Sequence, residues 1–217
     1  MPLPKDNLLF GFASKLTHEQ KEYVDSIYDN QVTIVNACAG SGKTTLAVAV
    51  AKVLKKELLY IFSPVEESVL GFTPGDVFDK ESKYTTPLKD ALLEINEEPD
   101  RAIVSKDNIQ NIKNGTAWVT PISHVFARGT NIKNKFVILD ESQNFTRGEL
   151  KKVLSRIHDD CKVVIIGHDK QCDLKNPAKS GFVPYIEHLR NEDYVKICKL
   201  TRNFRGRLAT KADELEW

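Results

Sequence analysis

Gly40-Ser41-Gly42-Lys43-Thr44 gathers two glycines, a cation and two hydroxyls in one short run. Glycines let a backbone wrap closely around phosphate oxygens with its N–H groups turned inward. Lys43 would then meet the β- and γ-phosphates of a nucleotide, and the Thr44 hydroxyl would ligate Mg²⁺. Such a cradle needs a strand before it and a helix after it. Val32–Asn36 reads as the strand. Thr44–Lys55, with Leu46, Val50, Val53 and Leu54 on one side, reads as the helix, whose N-terminus favours an anion. The expected contacts to ATP are Ala39, Gly40, Ser41, Gly42, Lys43, Thr44 and Thr45. The strict P-loop pattern opens on glycine, where this chain has Ala37.

A second constellation is Phe136-Val137-Ile138-Leu139-Asp140-Glu141, an apolar run ending in two carboxylates. Acidic residues often leave a strand merely for solvent. Beside a phosphate loop, Asp140 suits a Mg²⁺ ligand and Glu141 the general base for an attacking water. Gln143 is placed to couple this site to a neighbouring loop. Past another strand run, Gln171 offers a neutral amide that can sense the γ-phosphate or orient water. Upstream, Gln20 in Thr17-His18-Glu19-Gln20 has two readings. Its amide can pair with adenine N6 and N7, or it can close a capping box with Thr17.

These groups need a rigid frame. Val32–Asn36, Leu58–Phe62, Phe136–Asp140 and Lys162–Gly167 are short aliphatic runs that read as buried strands, with weaker candidates at Ala117–Pro121 and Tyr194–Leu200. Helical patterns cover Thr146–Ile157, through Leu150, Val153, Leu154 and Ile157, and Gly181–Arg190. Alternating strands and helices predict an α/β sandwich with a mainly parallel sheet, which binds ligands at its carboxyl edge. Ser63–Gly75, with Pro64, Gly71, Pro74 and Gly75, reads as a long functional loop.

The chain has 217 residues, 41% hydrophobic and 28% charged, which suits one globular domain spanning it. A formal net charge of +1 excludes a strongly basic overall nucleic-acid footprint. The four cysteines, Cys38, Cys161, Cys172 and Cys198, form no C-x-x-C pair, so a zinc ribbon is not expected. The N-terminus lacks the pattern of a signal peptide, and no apolar segment approaches the ~20 residues of a membrane span. A cytoplasmic protein without membrane contact is expected.

Ile138-Leu139-Asp140-Glu141-Ser142-Gln143-Asn144 resembles the ILDEAQN segment of PhoH-like ATPases. Gly167-x-x-x-Gln171-x-Asp173-Leu174 with Lys179-Ser180-Gly181 resembles that family's GD-x-x-Q-x-DLP…KSG stretch. Pro64-Val65-Glu66 with Leu70-Gly71-Phe72-Thr73-Pro74-Gly75-Asp76 resembles its PAVE…LGFLPGD loop. The family is related to the first motor domain of superfamily 1 helicases. Their adenine-reading Q motif is similar to Leu16-Thr17-x-Glu19-Gln20, and their L-x-x-N-Y-R-S motif to Leu200-Thr201-Arg202-Asn203-Phe204-Arg205-Gly206. The P-loop beginning at Ala37 is closer to theirs than to the PhoH form. Two departures stand out: His168 where the family usually has aspartate, and Ser63 where it often has arginine.

The resemblance implies a RecA-like P-loop NTPase, an α/β three-layer sandwich, with Arg205 contacting the γ-phosphate. It also implies ring-like homo-oligomers that remodel RNA or single-stranded nucleic acid, with strands crossing loops such as Ser63–Gly75 and the stretch from Thr120 to His124. Little sequence follows Arg205, so a second motor domain is not expected. A neighbouring copy would then supply a second arginine, with Arg128, Arg202 and Arg207 as candidates, or Arg205 would suffice alone. The rival readings are an ATP switch acting on a protein partner, an ATP-binding module without turnover, and a nucleoside kinase. The last is disfavoured by the missing zinc ribbon.

Overall fold

The aliphatic runs assemble into a six-stranded sheet whose middle is covered on both faces. The computed structural model describes residues 9–64, 82–105, 109–127 and 129–213. The strands are β1 (Val32–Ala37), β2 (Leu58–Phe62), β3 (Val119–Ser123), β4 (Phe136–Leu139), β5 (Lys162–Gly167) and β6 (Val195–Leu200). Their order is β3-β2-β4-β5-β1-β6, with every neighbouring pair parallel. β1, β2, β4 and β5 are buried almost residue for residue, as strands covered on both faces are. At the β6 edge, Lys196 and Lys199 turn to solvent between buried Val195, Cys198 and Leu200.

One face packs Val35, Tyr60, Ile138 and Val164 against α1 (His18–Asp29), α2 (Lys43–Val53) and α3 (Thr86–Glu94). Two short helices follow, α4 (Pro99–Ala102) and α5 (Ile109–Lys113). The other face packs Ile34, Ile61, Leu139 and Ile165 against α6 (Arg147–Leu154) and α7 (Phe182–Leu189). A last helix, α8 (Arg207–Asp213), follows β6. This is the three-layer α/β fold of P-loop NTPases.

Several expectations change. The helix after the phosphate loop is not one-sided: every residue from Leu46 to Ala51 is buried, because α1 and α3 flank α2 while the sheet lies beneath it. Its alanines allow that close approach. Residues 120–123, expected among the exposed loops, form most of β3, so only His124 follows the strand. The loop expected over Ser63–Gly75 lies outside the described residues beyond Pro64, and so does Arg128.

Long-range polar contacts fasten α1 to the sheet. The Lys162 ammonium, at the start of β5, donates to the carbonyls of Ile27 (2.8 Å), Tyr28 (2.7 Å) and Asn30 (2.7 Å). A cation on the last carbonyls of a helix satisfies acceptors that have no partner within it. Among the described residues, no helix is long and apolar enough to cross a membrane.

Candidate active site

β1 ends at Ala37 and α2 begins at Lys43, so the glycine run fills the gap between strand and helix. Gly40 (φ 65°) and Gly42 (φ 80°) occupy the left-handed region, where a Cβ costs about 1–2 kcal/mol. No side chain caps α2 at its Gly42 start. The Ser41 hydroxyl is wholly buried and has no hydrogen-bond partner among the described residues. A left-handed glycine loop, an uncapped helix start and an orphaned hydroxyl together fit a bound phosphate. Lys43 Nζ lies 3.4 Å from the Cys38 carbonyl, across the loop. Thr45 is half-buried one residue beyond Thr44 in the first turn of α2.

The carboxylates approach from β4. Asp140, one residue past the strand, is 1% exposed. Its Oδ2 accepts from the hydroxyls of Thr44 (3.1 Å) and Tyr60 (2.6 Å), and its Oδ1 from the Glu141 N–H (2.9 Å). A threonine hydroxyl and a carboxylate are hard oxygen donors, of the kind that hold Mg²⁺ with one or two protein ligands and substrate phosphates. These residues fit that ion.

Glu141 adopts φ 50° and ψ 45°, left-handed backbone at a residue other than glycine. Such strain persists where the surroundings over-determine it, often at active sites. Here Gln143 helps to hold it. Its Nε2 donates to Glu141 Oε2 at 2.6 Å, while its Oε1 accepts the His168 N–H at 3.0 Å. Burial, then the Asp140 charge, raises the Glu141 carboxyl above its ordinary range, against the opposing pull of Lys43 and the Gln143 bond.

Sheet order explains why these segments meet. β5 lies between β1 and β4, so the loop after β5 sits between the phosphate loop and the acidic strand end. His168 and Gln171 occupy that loop. Gln171 is exposed, and its N–H points to the His168 carbonyl at 3.3 Å. The amide bonded to Glu141 is therefore that of Gln143. Below it, Asn144 and Asp173 exchange two hydrogen bonds (2.9 and 2.8 Å), and Ser63 Oγ donates to the Asn144 carbonyl at 3.0 Å.

The two upstream and downstream candidates also reach the loop. Gln20 forms the capping box with Thr17, and its Nε2 donates to the Ser41 carbonyl at 3.0 Å. Both ends of its amide are thus engaged within the chain. Asn203 and Arg205 lie against Gly40: a Cβ there would fall 2.7 Å from Arg205 Cγ and from Asn203 Oδ1. The Phe204 N–H donates to the Gly40 carbonyl at 2.9 Å. Arg202 stacks over the Phe204 ring at 5.0 Å, and Arg207 is exposed at the start of α8. Tyr60 belongs to no motif in the sequence, and Asn203 stands only within the segment that resembles L-x-x-N-Y-R-S. The only signal for Tyr60 was a hydroxyl inside the otherwise apolar run of β2.

Two grooves lie elsewhere, of about 440 Å³ beside Lys55 and Trp118 and about 350 Å³ beside Lys151 and Tyr185. Neither is lined by the phosphate loop or the carboxylates, and the orphaned and charged groups mark the sheet's carboxyl edge as the site.

The chain resembles known proteins over most of its length. The family described as PhoH-like protein matches residues 13–214. A PhoH-like protein of Synechocystis is 34% identical over 193 residues, which cover 86% of this chain and 56% of that protein. One from Bacillus subtilis is 32% identical, covering 85% and 57%. Protein PhoH of Escherichia coli K12 is 28% identical, covering 83% and 51%. The chain thus spans about half the length of the curated relatives it matches. Among solved structures, the UvsW helicase of bacteriophage T4 shares the fold with a TM-score of 0.55 at 16% identity, over 88% of this chain and 66% of that one. With the phosphate loop, the acidic strand end and a family match over nearly its whole length, the chain belongs to the PhoH family.

Proposed function

We propose that this chain binds ATP with Mg²⁺ at the carboxyl edge of the sheet and hydrolyses it. The observation that carries the reading is the 3.1 Å bond between Thr44 and Asp140, which joins the phosphate loop to the strand end bearing Glu141. Ala39, Gly40, Ser41, Gly42, Lys43, Thr44 and Thr45 hold the phosphates, and Thr44 and Asp140 hold the ion. When bound, Mg²⁺ neutralises charge on the phosphates. Glu141 takes a proton from the attacking water at Oε1, because Oε2 is engaged by Gln143. The water oxygen bonds to the γ-phosphorus, the bond to the β-phosphate oxygen breaks, and ADP and phosphate leave. Gln171 and Arg205 serve the γ-phosphate, and Gln20 the adenine once its bond to Ser41 opens. Calorimetry tests the site: Lys43→Ala loses most affinity for Mg·ATP, and wild-type affinity in that variant would overturn it.

The reading extends to coupling with RNA or single-stranded DNA, supported by the helicase fold of the structural neighbour. Single-strand binding should then weaken steeply with salt and stimulate turnover. Loss of both at low salt would favour a switch acting on a protein partner. Self-association supplies a second arginine at the γ-phosphate, a contribution of about 10³–10⁵ in rate in related chemistry. Mixing Lys43→Ala with variants of Arg202, Arg207 or Arg128 should restore turnover. Activity per chain that stays flat down to a verified monomer would refute it.

A further inference from the structure

The Walker-type carboxylate has a partner that the ATPase reading does not use. Tyr60 sits in the middle of β2, in parallel register with Ile138 of β4. Side chains two residues apart share a face, so Asp140 continues the face of Ile138, on the side where α2 packs. A tyrosine opposite Ile138 is long enough to reach one residue pair further, and its hydroxyl meets Asp140 Oδ2 at 2.6 Å. The ring is 1% exposed, lying 6.4 Å from the Phe62 ring, which in turn stacks on Tyr84 at 5.6 Å.

A buried hydroxyl in an aliphatic run is costly unless it has a partner, and leucine or isoleucine would fill β2 without that cost. Here the partner is the carboxylate proposed to hold the ion. Asp140 Oδ2 accepts from two hydroxyls, and they differ in kind. Thr44 lies where the phosphate loop enters α2, and its oxygen is itself proposed to hold the ion. Tyr60 belongs to the core, and among the described residues its hydroxyl bonds to Asp140 alone.

We infer that Tyr60 is a positioning residue for Mg²⁺-dependent nucleotide binding, fixing the plane of the Asp140 carboxylate so that it faces Thr44 before the ion arrives. This inference rests on the ATP-site reading above. Partners that orient a ligating carboxylate typically contribute 10–100-fold in metal affinity. Without the phenol hydroxyl, Asp140 keeps only the Glu141 N–H and the Thr44 hydroxyl.

The test is Tyr60→Phe, which keeps the ring and its packing and removes one oxygen. Affinity for a fluorescent ATP analogue is titrated against Mg²⁺, and again in excess EDTA, with a thermal melt as a control on folding. The expected result is a 10-fold or greater rise in the Mg²⁺ concentration for half-maximal tightening, with EDTA affinity within two-fold of wild type. An unchanged Mg²⁺ midpoint overturns the inference. A proportional loss in both EDTA and Mg²⁺ overturns it too, since a merely structural role for Tyr60 would act that way. Failure of the parent reading looks different: the wild-type protein would itself show no Mg²⁺-dependent binding.

Discussion

The hydroxyl of Thr44 donates to Oδ2 of Asp140 at 3.1 Å, joining residues 96 positions apart. One residue belongs to the first turn of α2, the other follows β4, and β5 lies between their strands. Thr44→Val keeps the shape of the side chain and removes the oxygen. The expected outcome is a loss of ~10-fold or more in Mg²⁺-stimulated nucleotide affinity, with Thr44→Ser close to wild type. Titrating Mg²⁺ against a fluorescent nucleotide checks it.

Glu141→Gln preserves size and hydrogen bonding and removes the base. Nucleotide should still bind while turnover falls by ~10²-fold or more. Normal steady-state turnover in this variant would remove Glu141 from its proposed role.

The raised Glu141 carboxyl has consequences for both rate and stability. Its base form is lost at a higher pH than an ordinary glutamate, near 4.3, would show, so the acid limb of kcat/KM, which reports the free protein, should lie above that value. For stability the sign runs the other way. A carboxyl raised in the folded state favours folding while protonated, and that favour is lost as pH rises through the folded value. Glu141→Gln should therefore melt higher than wild type near neutral pH, with the difference closing toward pH 4. Parallel melting curves at both pH values would contradict the burial argument.

Gly40→Ala places a Cβ where Arg205 Cγ and Asn203 Oδ1 already lie, on left-handed backbone. The backbone alone should cost about 1–2 kcal/mol. The segment from Asn203 to Arg205 must also shift, so turnover should fall along with stability. Urea unfolding and an ATPase assay report the two effects separately, and a variant matching wild type in both would rule out this close approach.

Lys162→Met keeps the stem of the side chain and leaves three carbonyls at the end of α1 without their donor. A loss of about 2 kcal/mol in unfolding free energy is expected, with α1 amides exchanging faster than those of β5. A loss below ~0.5 kcal/mol would show that water replaces the ammonium without penalty.

All six strands were legible: four as short runs rich in β-branched or aliphatic residues, where burial on both faces allows little else, and two, at Ala117–Pro121 and Tyr194–Leu200, as weaker runs that became the edge strands β3 and β6. The phosphate loop was legible for a local reason: strand, left-handed glycines and helix follow one another in the chain. The capping box at Thr17 is local in the same way, and the structure contains it. The helices α4 and α5 were not foreseen, because at four and five residues they are too short to display a helical period. Of the surroundings of the carboxylates, the sequence marked only Gln143, as a link to a neighbouring loop. Tyr60 lies in the middle of β2, Gln143 beyond β4 and His168 beyond β5, and the bonds Tyr60–Asp140 and His168–Gln143 exist only once β2, β4 and β5 lie side by side. Residue types named the chemistry available to Asp140 and Glu141. The parallel sheet decided which hydroxyls and amides reach them, because such contacts depend on which strand ends become neighbours, and that is settled by packing the whole chain.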